Sequence, residues 1–276
     1  MTISALFNRG LLSVGAGVLG IAISTHTATG RQTATQSQTA TQQKPYQPSV
    51  GQAGKDVVWV PTADTLVAKM LDMAKVTPQD YVIDLGSGDG RTVIAAAKRG
   101  ATALGIEYNP DMVELSKKNA QTAGVSAKAT FMKADIFESD FSKATVITLF
   151  LLPQLNVRLR PILLDMKPGT RVVSNSFDMD DWLPDDTAHV EQECTSWCTA
   201  FLWIIPAKVE GTWRLGQKDL TLTQKYQVLT GTLGTDPLYE GKMHGTQITF
   251  KAGGTNYAGS VNGSSMTGSG WSASRK

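Results

Sequence analysis

The residues with the clearest chemical potential lie in one stretch, 81–107, which reads YVIDLGSGDGRTVIAAAKRGATALGIE. Its first apolar run ends on an acid, Asp84, and three glycines then alternate at Gly86, Gly88 and Gly90. An apolar periodic segment follows, and a second apolar run ends on Glu107. This pattern predicts a strand, a glycine loop, a helix and a second strand, joined as a right-handed βαβ unit in a parallel sheet.

The glycine loop is predicted to bind a ligand through its backbone, because glycine takes positive φ readily and has no Cβ to keep a ligand away. The spacing differs from the G-x-G-x-x-G dinucleotide fingerprint, since Arg91 stands where the third glycine would be. The carboxylates of Asp84 and Asp89 would oppose a pyrophosphate at the helix N-terminus. The loop therefore favours a ligand with an ammonium and a sulfonium, and Glu107 is placed to accept hydrogen bonds from two ribose hydroxyls.

The motif D-L-G-S-G-D-G, followed by an acid at the end of the next strand, resembles motifs I and II of class I methyltransferases that use S-adenosylmethionine (AdoMet). The resemblance implies AdoMet as the cofactor, bound by Asp84, Gly86, Ser87, Gly88, Gly90 and Glu107. It also implies that the acid after the third strand, Asp135, holds the adenine amino group while Ile136 packs on the ring. The alternatives are a strand-end cap with a tight turn for the motif, and a solvated loop aspartate for Asp135.

The segment before the first strand has two interpretations. The run VVWVPT ends at Thr62, and apolar residues then recur at helical spacing to about Lys75. Thr62 can cap this helix. Alternatively, the segment folds over the cofactor pocket, as this stretch does in many class I enzymes, and Thr62 then belongs to the cofactor site.

A closer resemblance spans residues 57–206. VPT before a helix, DLGSGDGR, LLP after the fourth strand, and KPGTRVVS followed by F-x-M-x-x-W are similar to bacterial and archaeal relatives of the FAM173 protein-lysine methyltransferases, and distantly to Dot1-like histone enzymes. The resemblance implies a protein lysine as methyl acceptor, with a small molecule as the variant. The end of the fourth strand, LFLLPQ, lacks the residues with which DNA amino-methylating enzymes hold a flipped base.

An apolar acceptor channel is expected beyond strands four and five. A lysine must lose its proton before it attacks a methyl group, and apolar surroundings lower its pKa by desolvation. Phe150, Leu151 and Leu152 could line such a channel, and no dedicated base is required. Asn175 and Phe177 could orient the acceptor, with ordinary loop packing as the alternative.

The expected fold is α/β, a Rossmann-like, seven-stranded class I methyltransferase sheet with helices on both faces, over residues 57–206. Its sixth and seventh strands are predicted at 189–193 and 199–205, the last one antiparallel. From 207 to 276, alternation and glycine turns predict a β-rich module of six or seven short antiparallel strands, a small barrel or sandwich. That module either recruits substrate or stabilises the catalytic domain or a dimer.

Residues 1–30 contain an uncharged apolar run, 11–24, with the length of a signal-peptide core, so we expect a signal peptide or signal anchor. Residues 31–56, rich in Thr, Gln, Ala and Ser, are expected to be a disordered linker. These features predict an exported or membrane-anchored protein, and a cytoplasmic one if the signal does not function. An exported binding protein that keeps the fold without turnover is the second hypothesis.

Composition excludes some classes. A net charge of +2 with 18% charged residues leaves no electrostatic footprint for nucleic acid. Three histidines make a metal site improbable. Cys194 and Cys198 are expected as two buried thiols, although they could meet in a disulfide across a tight turn.

Overall fold

The computed structural model describes residues 46–276, so the predicted signal segment and most of the predicted linker lie outside the described residues. Four helices accompany the first sheet: α1 Asp64–Met73, α2 Arg91–Lys98, α3 Pro110–Thr122 and α4 Pro153–Leu164. The sheet contains seven strands: β1 Tyr81–Leu85, β2 Thr102–Glu107, β3 Ala129–Lys133, β4 Val146–Leu149, β5 Arg171–Asn175, β6 Asp186–His189 and β7 Thr199–Ile204.

The first sheet has the strand order β3-β2-β1-β4-β5-β7-β6. Strands β1 to β5 are parallel, and β7 runs antiparallel to both β5 and β6. This arrangement confirms the predicted fold class, including the antiparallel last strand. The order reverses between β1 and β4, where open parallel sheets bind their ligands.

Helices cover both faces of the sheet, so its central strands are buried on both sides. All four residues of β4 are buried, which explains its run of apolar and β-branched side chains. One apolar cluster joins α1, α2 and α3 to the sheet through Leu66, Val93 and Val113. The other joins α4 to the opposite face through Leu159 and Leu163.

Several predicted element bounds differ from the structure. The helix predicted to start at Thr62 begins at Asp64, and its N-cap is Ala63, without a side-chain hydrogen bond. Thr62 is therefore not the cap. The sixth strand was predicted at 189–193 but ends at His189, because the chain turns there to enter a short closed loop before β7. Asn109 caps α3, and its side-chain oxygen accepts from Asp111 N–H at 2.9 Å.

The C-terminal region forms a second, antiparallel sheet of nine strands, more than the six or seven predicted. The strands are β8 Gly211–Leu215, β9 Lys218–Lys225, β10 Val228–Leu233, β11 Asp236–Pro237, β12 Tyr239–His244, β13 Gln247–Ala252, β14 Thr255–Asn262, β15 Ser265–Gly268 and β16 Trp271–Arg275. Because β10 also pairs with β9, eight strands close into a barrel, with the two-residue β11 beside β10. Its interior is filled by apolar side chains, the largest being Trp213 and Phe250.

The barrel contacts the first sheet's domain at the segment that follows β5. Asp181 of this segment pairs with Arg160 of α4 and with Lys225 of the barrel. Tyr226 stacks on Trp182 with ring centroids 5.7 Å apart. The barrel therefore supports the chain just beyond the carboxyl end of β5. Within the described residues, the helices are all too short or too polar to cross a bilayer.

Candidate functional site

A cavity of about 520 Å³ lies at the carboxyl ends of β1, β2 and β4. Ten of the twelve residues predicted from the sequence line it: Thr62, Asp84, Gly86, Ser87, Gly88, Glu107, Asp135, Ile136, Phe150 and Leu151. Leu152 and Phe177, which were also considered for the acceptor channel, line it too. Gly90 and Asn175 do not line the cavity, and both prove to have supporting positions.

The glycine loop follows β1 and turns the chain into α2. Gly86 and Gly88 have φ of 81° and 53°, in the left-handed region that glycine tolerates. Gly90 is also left-handed and immediately precedes α2, where a Cβ would come within 2.7 Å of the Phe131 ring. Gly90 therefore allows the loop to pack on β3 and does not line the cavity, and its contact with the cofactor stays a prediction.

Asp84, near the end of β1, is the most perturbed acid of the site. Its carboxyl is buried and accepts a hydrogen bond from Thr148 Oγ1 at 2.6 Å. The pKa of Asp84 is raised to about 7, mainly by burial; the Thr148 hydrogen bond opposes this rise, and the nearby charges of Glu107 and Asp89 add to it. A cation bound in this cavity would favour the ionised carboxylate, which fits the ammonium expected of the ligand.

Glu107 ends β2 and holds the loop in place. Gly88 N–H donates to Glu107 Oε2 and Asn109 N–H donates to Glu107 Oε1, each at 2.9 Å. Each carboxylate oxygen retains a further lone pair for a hydroxyl donor. Glu107 therefore has a structural role, and its contact with the ribose hydroxyls stays a prediction.

Ser87 is part of the glycine loop, and its side chain points away from the cavity, toward β2. Its side chain packs on Gly105 of β2, whose missing Cβ makes room for the hydroxyl. Ser87 Oγ is buried and has no hydrogen-bond partner within residues 46–276. Ser87 still lines the cavity. Its backbone N–H donates to Ile106 O at 3.1 Å, which fixes the loop against β2.

Asp135 and Ile136 follow β3, at the end of the cavity where adenine is predicted. Asp135 Oδ1 accepts from Phe137 N–H at 2.9 Å, and its other oxygen pairs with Lys55. The Lys55 hydrogen bond holds the pKa of Asp135 below its usual range. The adenine contact of Asp135 stays a prediction, and the Lys55 partner was not visible in the sequence because 80 residues separate the two.

Residues 52–62, called the strap here, cover the glycine loop. Trp59 lies over Gly88, where a Cβ would come within 2.7 Å of the indole nitrogen. The strap is fixed at Thr62, whose carbonyl accepts from Arg91 Nη1 at 2.8 Å and whose hydroxyl accepts from Asn175 Nδ2 at 3.2 Å. The strap lines the cavity beside the glycine loop, and residues 52–56, predicted as linker, belong to it. That the strap covers a bound cofactor stays a prediction.

Three aromatic rings meet at the end of the cavity away from the adenine side. Phe150 follows β4, Phe177 follows β5, and Trp197 comes from the loop between β6 and β7. The ring centroids of Phe177 and Trp197 are 5.1 Å apart, and those of Phe150 and Phe177 are 6.1 Å apart. We call these three residues the aromatic mouth. Trp197 was not among the residues predicted from the sequence, although the cysteines on both sides of it mark the loop.

Cys194 and Cys198 form a disulfide that closes this loop, which corrects the expectation of two buried thiols. The bridge is possible because Glu193 and Trp197 adopt left-handed φ of 54° and 59°, which curls five residues into a turn. Sequence spacing alone does not show such a turn.

Two buried asparagines support the acceptor end of the cavity, which is the end that carries the aromatic mouth. Asn175, a predicted catalytic residue, is fully buried and holds Thr62 of the strap, so it is a positioning residue. Asn156 of α4 lies within hydrogen-bond distance of Phe177 O and Asp178 O, at 3.0 and 3.1 Å. Asn156 thereby fixes the backbone that presents Phe177.

The chain between Phe177 and Trp197 is acidic. Residues 178–193 include seven carboxylates and neither lysine nor arginine. Asp181 and Asp185 are paired with cations from other segments. The other five are exposed and form no ion pair within the described residues: Asp178, Asp180, Asp186, Glu191 and Glu193. The chain that joins Phe177 to Trp197, two residues of the aromatic mouth, therefore carries net negative charge.

The comparisons with known proteins agree with this site. The family model described as the ANTKMT methyltransferase domain matches residues 84–186. A protein-lysine N-methyltransferase of Saccharolobus islandicus is 41% identical over 152 residues, which cover 54% of this chain and 94% of the relative. The chain belongs to the ANTKMT family of class I methyltransferases. The resemblance to FAM173-type protein-lysine methyltransferases is confirmed, and with it an AdoMet-dependent enzyme.

Further similar proteins match over shorter or different ranges. The adenine nucleotide translocase lysine N-methyltransferase of Mus musculus is 33% identical over 130 residues, which cover 46% of this chain and 56% of that relative. The crystal structure of an RNA methyltransferase from Salinibacter ruber, in complex with S-adenosyl-L-homocysteine, is 47% identical with a TM-score of 0.51. That match covers 96% of the Salinibacter ruber chain and 54% of this one. Each of these matches therefore leaves about half of this chain without a counterpart.

Proposed function

We propose that this enzyme transfers a methyl group from AdoMet to the side-chain amine of a lysine in a protein. The observation that supports this acceptor most is the aromatic mouth, together with the unpaired carboxylates in the chain between Phe177 and Trp197. Aromatic faces attract cations, and unpaired acids favour a basic protein segment over a polyanion. The archaeal relative's name, protein-lysine N-methyltransferase, points to the same acceptor.

The residues of the cavity fit the cofactor in type and position. Asp84 is matched to an ammonium, Glu107 to ribose hydroxyls and Asp135 to an amino group, and all three line one cavity beside a glycine loop. When bound, AdoMet supplies an electrophilic methyl group on a sulfonium and leaves as a neutral thioether. The protein's contribution is to position the reactants and exclude water, and the strap residue Trp59 covers the loop for that purpose.

The acceptor end suits an amine that must be neutral before it reacts. Phe150, Leu151 and Phe177 surround that end with apolar surface, which lowers the pKa of a lysine amine by desolvation. The aromatic mouth is open to solvent, because Trp197 is 47% exposed, so the lysine proton leaves to water there. As the nitrogen gains a methyl group it becomes positive, and the faces of the three rings stabilise that developing charge.

A nucleobase is the second candidate acceptor, because the Salinibacter ruber protein is described as an RNA methyltransferase and aromatic rings also stack on bases. The five unpaired carboxylates in the chain between Phe177 and Trp197 oppose it, since RNA binding depends on neutralising phosphates with basic side chains. We therefore favour the protein acceptor.

The test follows a labelled methyl group. The full chain is incubated with tritiated AdoMet and a cell extract, and protein and RNA are separated and hydrolysed. The proposal predicts label in methylated lysine, lost in an Asp84→Asn control. Label in nucleosides would contradict it, and absence of label from every fraction, despite cofactor binding, would favour a binding protein without turnover.

As part of this proposal, the enzyme works outside the cytoplasm or anchored to a membrane. Disulfides persist in oxidising compartments, and this chain has one beside its acceptor end. The apolar run at residues 11–24 supports the same location. Fractionation of cells expressing the full chain, with intact mass to report cleavage and the bridge, would test it. Full-length, reduced protein in the cytosolic fraction would overturn it.

A further inference from the structure

Trp197 differs from its partners in the aromatic mouth in how it is positioned. Phe150 directly follows β4, Phe177 lies two residues after the end of β5, and Asn156 fixes the backbone of Phe177. Trp197 instead lies in the loop closed by the Cys194–Cys198 bridge. The position of Trp197 in the aromatic mouth therefore depends on a covalent link that reduction can remove.

The geometry of the loop directs the indole toward the cavity. Cys198 is buried next to β7, and its carbonyl accepts from Val190 N–H at 2.9 Å, so one end of the loop is fixed to the sheet. Glu193 and Trp197 adopt left-handed φ, a conformation that bulky residues hold only when their surroundings enforce it. The disulfide supplies that enforcement, because the exposed residues between the cysteines, Thr195 and Ser196, offer little packing.

The cofactor end of the cavity does not share this dependence. Asp84 and Glu107 are held by Thr148 and by the glycine loop, within the parallel part of the sheet. Trp59, which covers the loop, belongs to the strap at the N-terminal side. Opening the Cys194–Cys198 loop should therefore leave cofactor binding intact and change only the acceptor end.

We infer that Trp197 is a specificity-determining residue for a cationic acceptor side chain, and that the Cys194–Cys198 disulfide is its positioning element. The oxidised chain then recognises the lysine acceptor, whereas the reduced chain binds the cofactor and recognises the acceptor poorly. This inference rests on the proposed lysine acceptor. It makes the acceptor site complete only in an oxidising environment.

The test separates the cation from the rest of the acceptor with two small probes, Nα-acetyl-lysine methylamide and its norleucine counterpart, which lacks the ammonium. The full chain, labelled with 5-fluorotryptophan, is titrated in the presence of S-adenosylhomocysteine and followed by ¹⁹F NMR. The Trp197 resonance is assigned by its loss in Trp197→Phe. We expect the lysine probe to shift this resonance saturably and the norleucine probe to bind about tenfold more weakly.

Disulfide dependence is tested on the folded wild type with a phosphine reductant and, separately, with Cys194→Ser/Cys198→Ser. Thr195→Ala is the matched control, because it alters the same loop without opening it. We expect the reduced wild type and the serine double variant to lose about tenfold or more in affinity for the lysine probe. Their dissociation constant for S-adenosylhomocysteine should stay the same. The cofactor measurement also shows that the variant has folded.

Each outcome decides between the inference and the proposed function. If the wild type methylates lysine but the reduced form and Trp197→Ala do so equally well, the inference is wrong and the function stands. If the lysine and norleucine probes bind alike, Trp197 does not select a cation. If the wild type transfers label to nucleosides instead of lysine, the proposed function falls and this inference falls with it.

Discussion

The indole of Trp59 lies directly over Gly88, so that a Cβ on Gly88 would come within 2.7 Å of the indole nitrogen. This contact joins the strap to the glycine loop and places a covering side chain on the part of the chain that the cofactor must approach. The loop and its cover therefore act together, and a substitution in either affects the cofactor end of the cavity.

Gly88→Ala should abolish cofactor binding while the protein stays folded. The added methyl group would displace Trp59, and alanine at a φ of 53° is strained by about 1–2 kcal/mol. Thermal unfolding with and without S-adenosylhomocysteine measures this, and the ligand-induced rise in Tm should vanish. Gly124→Ala is the control, since Gly124 also has positive φ but has nothing within 4 Å of its Cβ position. A ligand-induced Tm rise that survives in Gly88→Ala would contradict the assignment.

Asp84→Asn should raise stability at pH 8 and have little effect at pH 4. An exposed aspartate titrates near pH 4, whereas burial raises the pKa of Asp84 to about 7. Between these values the folded state keeps a proton that the unfolded state has released, so stability falls as pH rises through that window. Asparagine removes this penalty, and we expect a gain of about 1–3 kcal/mol at pH 8 by urea unfolding. Equal stabilities at pH 8 would mean that Asp84 is not buried as described.

The same carboxyl makes cofactor affinity depend on pH. Below pH 7 the free enzyme holds Asp84 protonated, and a cationic ligand must displace that proton. Affinity for AdoMet should rise by up to about tenfold per pH unit between pH 5.5 and 7, and level off by pH 7.5. Equilibrium dialysis at fixed ionic strength measures the profile. A profile that is flat across this range would contradict a direct contact between Asp84 and the ligand.

Asn156→Ala should weaken acceptor recognition without changing cofactor affinity. Asn156 Nδ2 is buried beside the carbonyls of Phe177 and Asp178, and its loss leaves them unsatisfied at a cost of about 1–3 kcal/mol. Phe177 then loosens, so the acceptor KM should rise several-fold. Asn119→Ala is the matched variant, because Asn119 Nδ2 donates to Asp89 O in the glycine loop and should change the cofactor KM instead. If Asn156→Ala changed the cofactor KM and Asn119→Ala changed the acceptor KM, these roles of the two asparagines would be refuted.

Much of the cofactor end could be predicted from sequence, because its residues are close in the chain. Asp84, the glycines and Glu107 fall within one βαβ unit, whose geometry fixes their proximity. The strap was ambiguous, since VVWVPT is compatible both with the start of a helix and with a cover. Gly90 was placed in the site because it belongs to the motif, although Phe131 of β3 is what requires a glycine there.

The acceptor end was less predictable because it depends on contacts between distant segments. Trp197 reaches Phe150 only after β7 has folded back antiparallel to β5, which no local pattern specifies. The disulfide depends on two left-handed residues, and Asn175 turned out to lie behind the strap rather than in the cavity. Closure of the C-terminal strands into a barrel likewise depends on the long-range pairing of β9 with β10.

Calorimetric titration of the wild-type full chain and of Asp84→Asn, with AdoMet and with S-adenosylhomocysteine, shows whether this cavity is the cofactor site. We expect 1:1 binding of both ligands to the wild type at about micromolar dissociation constants. AdoMet should bind roughly a hundredfold more weakly to the variant, which lacks the buried carboxylate that we expect to face the cation. Equal binding to both proteins, or no binding to a folded wild type, would contradict the assignment of this cavity as the cofactor site.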